Sequence, residues 1–108
     1  MAVSYKVLGQ VIPSATTATT AYTAGTGIST VISTIAVCNQ GATTNIRVAI
    51  RPAGAALSTT HYIIYDTPVN ANDSVFITIG ATLATTDVVT VYAGTANVSF
   101  TLFGSEVA

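Results

Sequence analysis

Apolar and polar residues alternate at every second position through much of this chain. Between Asn45 and Arg51, the apolar residues Ile46, Val48 and Ile50 occupy every second position. The same alternation recurs at residues 75–79, 89–91 and 98–103. A period of two is typical of β-strands that bury one face, and no stretch of about ten residues shows helical spacing. The pattern therefore predicts an all-β fold with no helix longer than a single turn.

Turn-forming Gly, Pro, Asn and Asp residues divide the chain into about eight strands. These strands are predicted at residues 4–12, 19–23, 28–39, 45–51, 61–66, 74–80, 88–93 and 96–103. Short strands at this regular spacing are typical of a two-sheet β-sandwich or jelly roll, which we expect to form one domain over residues 1–108. The last two strands are predicted to form a hairpin across Gly94 and Thr95. Residues 1–20 are predicted to be an arm or an edge strand.

Charged residues are scarce, with three Lys or Arg and four Asp or Glu among 108 residues. They make up 6% of the chain, against about 25% in an ordinary soluble domain. A folded monomer of 10.9 kDa exposes about 5,600 Å², which leaves roughly one charge per 800 Å². Large faces must therefore carry no charge, and we expect the chain to associate with itself rather than remain a solitary monomer.

The composition also restricts the partners. Three cations and a net charge of −1 make a nucleic-acid surface improbable, because phosphate binding needs clustered Lys and Arg. Threonine interrupts every apolar stretch, so no membrane-spanning helix and no membrane partner are predicted. The N-terminal residues lack the charged and apolar regions of a cleaved signal, so synthesis in the cytoplasm is expected. The single cysteine, Cys38, cannot form an internal disulfide.

Residues that could carry catalysis are few and scattered. His61 is the one histidine, Cys38 at the end of an apolar strand is expected to be a buried structural thiol, and no nucleophile motif accompanies them. The oxygen-rich residues 70–73 lack the spacing of a calcium loop and are typical of a turn. We therefore expect no enzymatic activity, no cofactor and no metal site.

Four residues are candidates for contact with a partner. Arg47 and Arg51 are four apart on one strand, so both should project from the same face, where they could bind carboxylates or carbonyls. They could equally belong to an ordinary solvent-facing strand. Tyr62 and Tyr65 could stack on sugars or pack at an interface with their hydroxyls bonded to polar groups.

Residues 37–54 resemble small virion proteins of tailed bacteriophages, especially phages of aquatic bacteria. The resemblance continues through residues 62–66, 71–73, 87–93 and 98–106, and its most particular element is the Phe-Gly-Ser-Glu at 103–106. Residues 22–25 read Tyr-Thr-Ala-Gly where the family often has Tyr-Thr-Val-Pro. The resemblance implies a non-enzymatic virion protein of sandwich type, made in the host cytoplasm. Its implied partners are the major capsid protein or other virion proteins, and further copies of itself in a homotrimer.

Two structural roles are consistent with this resemblance. The first is a capsid decoration or cement protein that stabilises the assembled shell. The alternative is a tail fibre, neck or baseplate module, and a receptor- or glycan-binding module is a third possibility, supported by the tyrosines. The number of copies per virus particle distinguishes the shell role from the tail role.

Overall fold

The computed structural model describes residues 2–108 and is built from eight strands. The strands are β1 (Val3–Val11), β2 (Thr19–Thr23), β3 (Ser29–Asn39), β4 (Thr44–Arg51), β5 (Tyr62–Val69), β6 (Ser74–Leu83), β7 (Val88–Ala93) and β8 (Val98–Val107). Within residues 2–108 the only helical segments are two single 3-10 turns, Pro52–Gly54 and Thr59–His61. The prediction of an all-β fold is confirmed, since alternating β-branched residues fit a pleated, half-buried surface.

The strands form two antiparallel four-stranded sheets. The first sheet has the order β1-β8-β3-β6, and the second has the order β2-β7-β4-β5. The first strand thus pairs with the last, the second with the seventh, the third with the sixth and the fourth with the fifth. This nested pairing is the strand order of a jelly roll, so the predicted two-sheet sandwich is confirmed.

The core lies between the two sheets and consists almost entirely of aliphatic side chains. Each strand that is central in its sheet contributes every second residue, in agreement with the alternation in the sequence. The fully buried side chains include Phe100, Leu102, Ile35 and Val37 from the first sheet and Ile46, Val48, Val89 and Val91 from the second. These residues belong to one continuous cluster.

The predicted hairpin across Gly94 is wrong, because β7 and β8 belong to different sheets. Gly94 lacks the positive φ that a two-residue hairpin turn requires. Its amide donates to the carbonyl of Asn45 at 3.0 Å, and a Cβ atom on Gly94 would lie only 2.7 Å from the hydroxyl oxygen of Thr44. Glycine is therefore present here because β4 approaches closely, and the chain crosses to the other sheet afterwards.

Three strands extend further than the sequence predicted. β5 continues through Pro68, which an edge strand tolerates because one side of its backbone has no partner strand. β6 continues through Gly80, whose φ of +58° accompanies an irregularity in the pairing with β3. β8 continues to Val107 between its two partner strands. Val3–Val11 is the other edge of the first sheet and pairs with β8 of the same chain.

One buried side chain joins the loops at an end of the sandwich. The side-chain nitrogen of Asn39 lies 2.9–3.2 Å from the carbonyl oxygens of Ala42, Val69 and Asn70, and its side-chain oxygen accepts from the amide of Gly41. Asn39 therefore connects the β3–β4 and β5–β6 loops. These contacts satisfy the polar groups of its side chain.

Candidate functional site

The four candidate residues all lie on the outer side of the second sheet. Arg47 and Arg51 project from β4, away from the core, as their spacing predicted. Tyr65 lies on the neighbouring strand β5, and Tyr62 is at the start of that strand. The structure brings Arg47, Tyr62 and Tyr65 together into one cluster, whereas Arg51 is engaged elsewhere on the same face.

Arg47 is held between two aromatic rings and a carboxylate. The centre of its guanidinium lies 4.2 Å from the ring centroid of Tyr65 and 4.4 Å from that of Tyr92. Its Nε and Nη2 donate to the two carboxylate oxygens of Asp66 at 2.6 and 3.3 Å. The hydrogen bonds to Asp66 raise the pKa of Arg47 further above its usual range. Two of the guanidinium nitrogens that could have bound a partner's carboxylate, Nε and Nη2, are thus used within the chain.

Tyr62 and Tyr65 form two walls of a shallow depression, which we call the tyrosine cleft. Their ring centroids are 4.9 Å apart and the rings are inclined by 75°, an edge-to-face arrangement. The third lining residue is Thr59, in the 3-10 turn before β5. The depression has a volume of about 430 Å³. Tyr65 is 56% exposed, so a ligand could reach its ring from solvent.

Arg51 fixes the segment that follows β4. Its Nε donates to the hydroxyl of Thr90 at 3.1 Å, and its Nη1 donates to the carbonyl of Ala55 at 3.1 Å. The guanidinium therefore ties the turn at Pro52–Gly54 to the outer side of β7. Its role as an anchor for a partner stays a prediction.

The histidine and the cysteine lie outside this cluster. His61 Nδ1 accepts a hydrogen bond from the amide of Ser58 at 3.1 Å, and this bond caps the 3-10 turn. Cys38 is half-buried on the outer side of β3, so the expectation of a buried thiol is wrong. Side chains of β3 point alternately inwards and outwards, and Cys38 points outwards between the buried residues Val37 and Asn39. Among residues 2–108 no three His, Cys, Asp or Glu side chains cluster as metal ligands.

The strand positions that point outwards from the first sheet hold no charged residue, and we call the surface they form the neutral face. The strands of this sheet contain two charged residues, Lys6 and Glu106, at positions that point towards the second sheet. Lys6 Nζ lies 2.6 Å from Glu106 Oε1. The neutral face exposes large apolar side chains instead, among Ser and Thr. They are Val3, Tyr5, Val7, Val31, Phe76 and Phe103, of which Tyr5 is 84% and Phe76 69% exposed.

A second depression of about 520 Å³ lies on the neutral face, where Tyr5, Val7, Val31 and Phe103 contribute to its lining, and Lys6 lines it as well. It crosses β1, β8 and β3, because Val7 pairs with Phe103 and Val31 pairs with Ser105. The depression is shallow and mostly apolar. An apolar surface without charge favours contact with another apolar surface over contact with water.

Glu106 is held on the inner side by a second group. The hydroxyl of Tyr22 donates to its carboxylate at 2.5 Å and lies 2.7 Å from the hydroxyl oxygen of Thr30. The ammonium of Lys6 and then the Tyr22 hydroxyl lower the pKa of Glu106. Burial, followed by the contact with Glu106, raises the pKa of Tyr22.

Sequence reasoning missed Asp66, Tyr92 and Thr59 as members of the cluster. The alternation in β7 places Tyr92 outside, but its meeting with Arg47 depends on the register of β7 against β4. Asp66 follows Tyr65 directly in β5 and lies at an irregularity in the β4–β5 pairing. Its φ of +54° turns its side chain towards Arg47, which the sequence does not reveal. The scarcity of charge predicted large uncharged faces, but not which strands form one, since the neutral face is assembled from four strands distant in sequence.

No helix within residues 2–108 is both long and apolar enough to cross a membrane. Comparisons of the chain with protein-family models, with curated proteins and with solved structures gave no match.

Proposed function

We propose that this chain is a non-enzymatic structural protein of a bacteriophage virion, a capsid decoration protein that stabilises the assembled shell. The observation that carries the proposal is the neutral face, a sheet surface with exposed Tyr5, Val31 and Phe76 whose outward strand positions hold no charged residue. The resemblance of residues 37–54 and 98–106 to small virion proteins supports it. The jelly roll is compatible with this role, although many other functions use the same fold.

The neutral face is large enough to be a docking surface. Four strands about 4.8 Å apart and about ten residues long cover roughly 600 Å². The smallest stable protein interfaces bury about the same area on each partner. The occupant that we propose is an equally uncharged surface of the major capsid protein, since a charged partner would lose its hydration without gaining an ion pair. A protein that binds only the assembled shell stabilises it by mass action.

We also propose that the chain forms a homotrimer. β6 is an edge strand of ten residues without a charged residue or a proline, and such an edge invites pairing with another chain. A closed ring of copies covers edges without growing into a filament. The number three comes from the resemblance to decoration proteins on local three-fold axes.

The location of the chain in purified particles tests the proposed role. Cryo-EM combined with quantitative mass spectrometry should place it on the outside of the shell, in hundreds of copies per particle. A few copies or a few dozen, located at the tail, would replace the shell role with that of a tail fibre, neck or baseplate module. Absence from the particle would overturn the virion proposal.

A single charge tests the neutral face itself. Val31→Glu adds a carboxylate at an exposed position of β3 on this face, and particles assembled with this variant should carry at least about tenfold fewer copies. The matched control is Thr20→Glu, at an exposed strand position of the second sheet, which should be incorporated normally. Equal incorporation of both variants would show that the neutral face is not the docking surface.

A further inference from the structure

The tyrosine cleft lies on the opposite side of the sandwich from the neutral face. Any protein docked through the neutral face leaves Tyr62 and Tyr65 facing outwards. We propose that the tyrosine cleft binds one neutral pyranose ring of a saccharide. This inference does not depend on the proposed virion role, because it concerns the isolated chain.

The cleft has the chemistry that a sugar ring needs. A pyranose has an apolar face of C–H groups that fits the electron-rich face of an aromatic ring, and its edge carries hydroxyls that donate and accept hydrogen bonds. Tyr62 and Tyr65 meet at 75° and so provide a corner, in which one ring can stack while the other presents its edge and hydroxyl. Thr59 adds a third hydroxyl.

The charges around the cleft favour a neutral ligand. Arg47 and Asp66 are the charged groups in the cluster, and two hydrogen bonds pair their opposite charges. An anionic ligand would have to compete with Asp66 for the guanidinium, and a cationic one would have to compete with Arg47 for the carboxylate. A neutral sugar disturbs neither.

The cleft is also held in place before a ligand arrives. The guanidinium of Arg47 stacks between Tyr65 and Tyr92, and Asp66 fixes the guanidinium in turn. Tyr65 therefore loses little freedom on binding, which lowers the entropic cost of binding. The volume of about 430 Å³ lies within the range of small-molecule sites, about 300–1,000 Å³.

A single depression with three lining residues fits one ring better than an extended peptide. Proline-rich peptides lie along aromatic-lined grooves that engage several successive residues. The tyrosine cleft does not continue into such a groove, because Thr59, Tyr62 and Tyr65 complete its lining. An oligoproline peptide is therefore the competing ligand in the test.

Titration of the ¹⁵N-labelled chain tests the proposal. The probes are glucose, galactose and N-acetylglucosamine, and a proline decamer is the competing probe. At least one sugar should shift the amide signals of residues 59–66, with a dissociation constant in the millimolar range expected for a single ring. Tyr65→Ala and Tyr62→Ala should each weaken that binding at least about tenfold, whereas Tyr65→Phe keeps the ring and should change it by less than about threefold.

The matched control is Tyr5→Ala, which removes an exposed tyrosine from the neutral face and should leave sugar binding unchanged. The proposal is overturned if none of the sugars shifts these signals, if only the proline decamer does, or if Tyr5→Ala weakens binding as much as Tyr65→Ala. A ¹⁵N spectrum of each variant shows that it is folded. Failure here leaves the virion role untouched, since that role is tested by location and copy number.

Discussion

At the scale of single residues, the few charged side chains of this protein are used to hold its own fold. Each of the seven contacts another group of the chain, either an opposite charge, a hydroxyl or the backbone. The contacts are Lys6 with Glu106, Arg47 with Asp66, Arg51 with Thr90 and Ala55, Asp73 with Ser74, and Asp87 with the amides of Ala53 and Ala84. The two ion pairs among these contacts are partly exposed and contribute little stability each, so their main effect is to position the strands they join.

The side chain of Asn39 should be the most costly polar group to remove. Asn39→Ala leaves the carbonyls of Ala42, Val69 and Asn70 without their donor in a buried place, so we expect a loss of about 2–3 kcal/mol in the free energy of unfolding. Urea denaturation measures it. The control is Asn45→Ala at an exposed position of β4, which should change stability by less than about 0.5 kcal/mol. Equal effects of the two substitutions would contradict the role of Asn39.

The contact of Glu106 with Lys6 predicts a dependence of stability on pH. Because folding lowers the pKa of Glu106, its contribution is fully present above the unfolded value of about 4.3 and is lost as the pH falls through the lower folded value. Glu106→Gln should therefore destabilise the protein more at pH 7 than at pH 3, where the wild-type carboxyl also becomes protonated. Chemical denaturation at both pH values measures the difference.

Lys6→Met removes the other half of the ion pair and should follow the same pattern, with a smaller loss at pH 3 than at pH 7. A loss of stability that is the same at both pH values, in either variant, would mean that the ion pair does not contribute to folding.

At the scale of elements, the sheets depend on close contacts between neighbouring backbones as well as on the alternation of apolar and polar residues. Gly104 of β8 lies opposite Ile32 of β3, where the pairing of the two strands becomes irregular. A Cβ atom at Gly104 would collide with the carbonyl oxygen of Val31. This glycine therefore allows β3 and β8 to remain paired beyond the irregularity, up to Val107.

Gly104→Ala should accordingly destabilise the protein by about 2–3 kcal/mol, because backbone atoms must move to admit the methyl group. Thermal denaturation followed by circular dichroism measures it. Ser105→Ala, at the neighbouring outward-facing position, is the control and should have an effect below about 0.5 kcal/mol. If the control were as destabilising as Gly104→Ala, the close approach would not be the cause.

Strand positions could be predicted from the sequence because alternation and turn residues are local signals. The sheet to which each strand belongs could not be predicted from the sequence. The sequence around Gly94 has the residues of a hairpin turn, and only the proximity of Thr44 shows why the chain crosses to the other sheet. In the same way Arg47 and Tyr65 could be placed on outer faces, but the inclusion of Tyr92 and Asp66 depends on register and on a local irregularity.

At the scale of the whole molecule, the sandwich has two unlike sides. One is the neutral face, and the other carries Arg47, Arg51 and the tyrosine cleft. The free edges of the sheets are β1 and β6 in the first and β2 and β5 in the second. The sides and the edges thus offer separate surfaces for docking, for ligand binding and for association between copies.

The free edges of the sheets predict that the isolated protein associates with itself in solution. If copies pair through them in a closed ring of three, the mass in solution should be three times 10.9 kDa, about 33 kDa. Light scattering coupled to size-exclusion chromatography at micromolar concentration measures it. A mass near 11 kDa that persists on concentration would exclude self-association of the free chain, and a mass near 22 kDa would replace the trimer with a dimer.

Lys6 and Glu106 pair away from the outward positions of the first sheet, and this has a consequence for the solutions in which the neutral face can dock. At 0.1 M ionic strength, dissolved salt largely screens the interaction between exposed charges more than about 10 Å apart. It leaves apolar contacts intact, and salts such as sulfate strengthen them. The outward positions of the first sheet hold no Asp, Glu, Lys, Arg or His whose charge salt could screen. We therefore expect the proposed docking through this face to persist at high salt, where docking through charged groups would weaken.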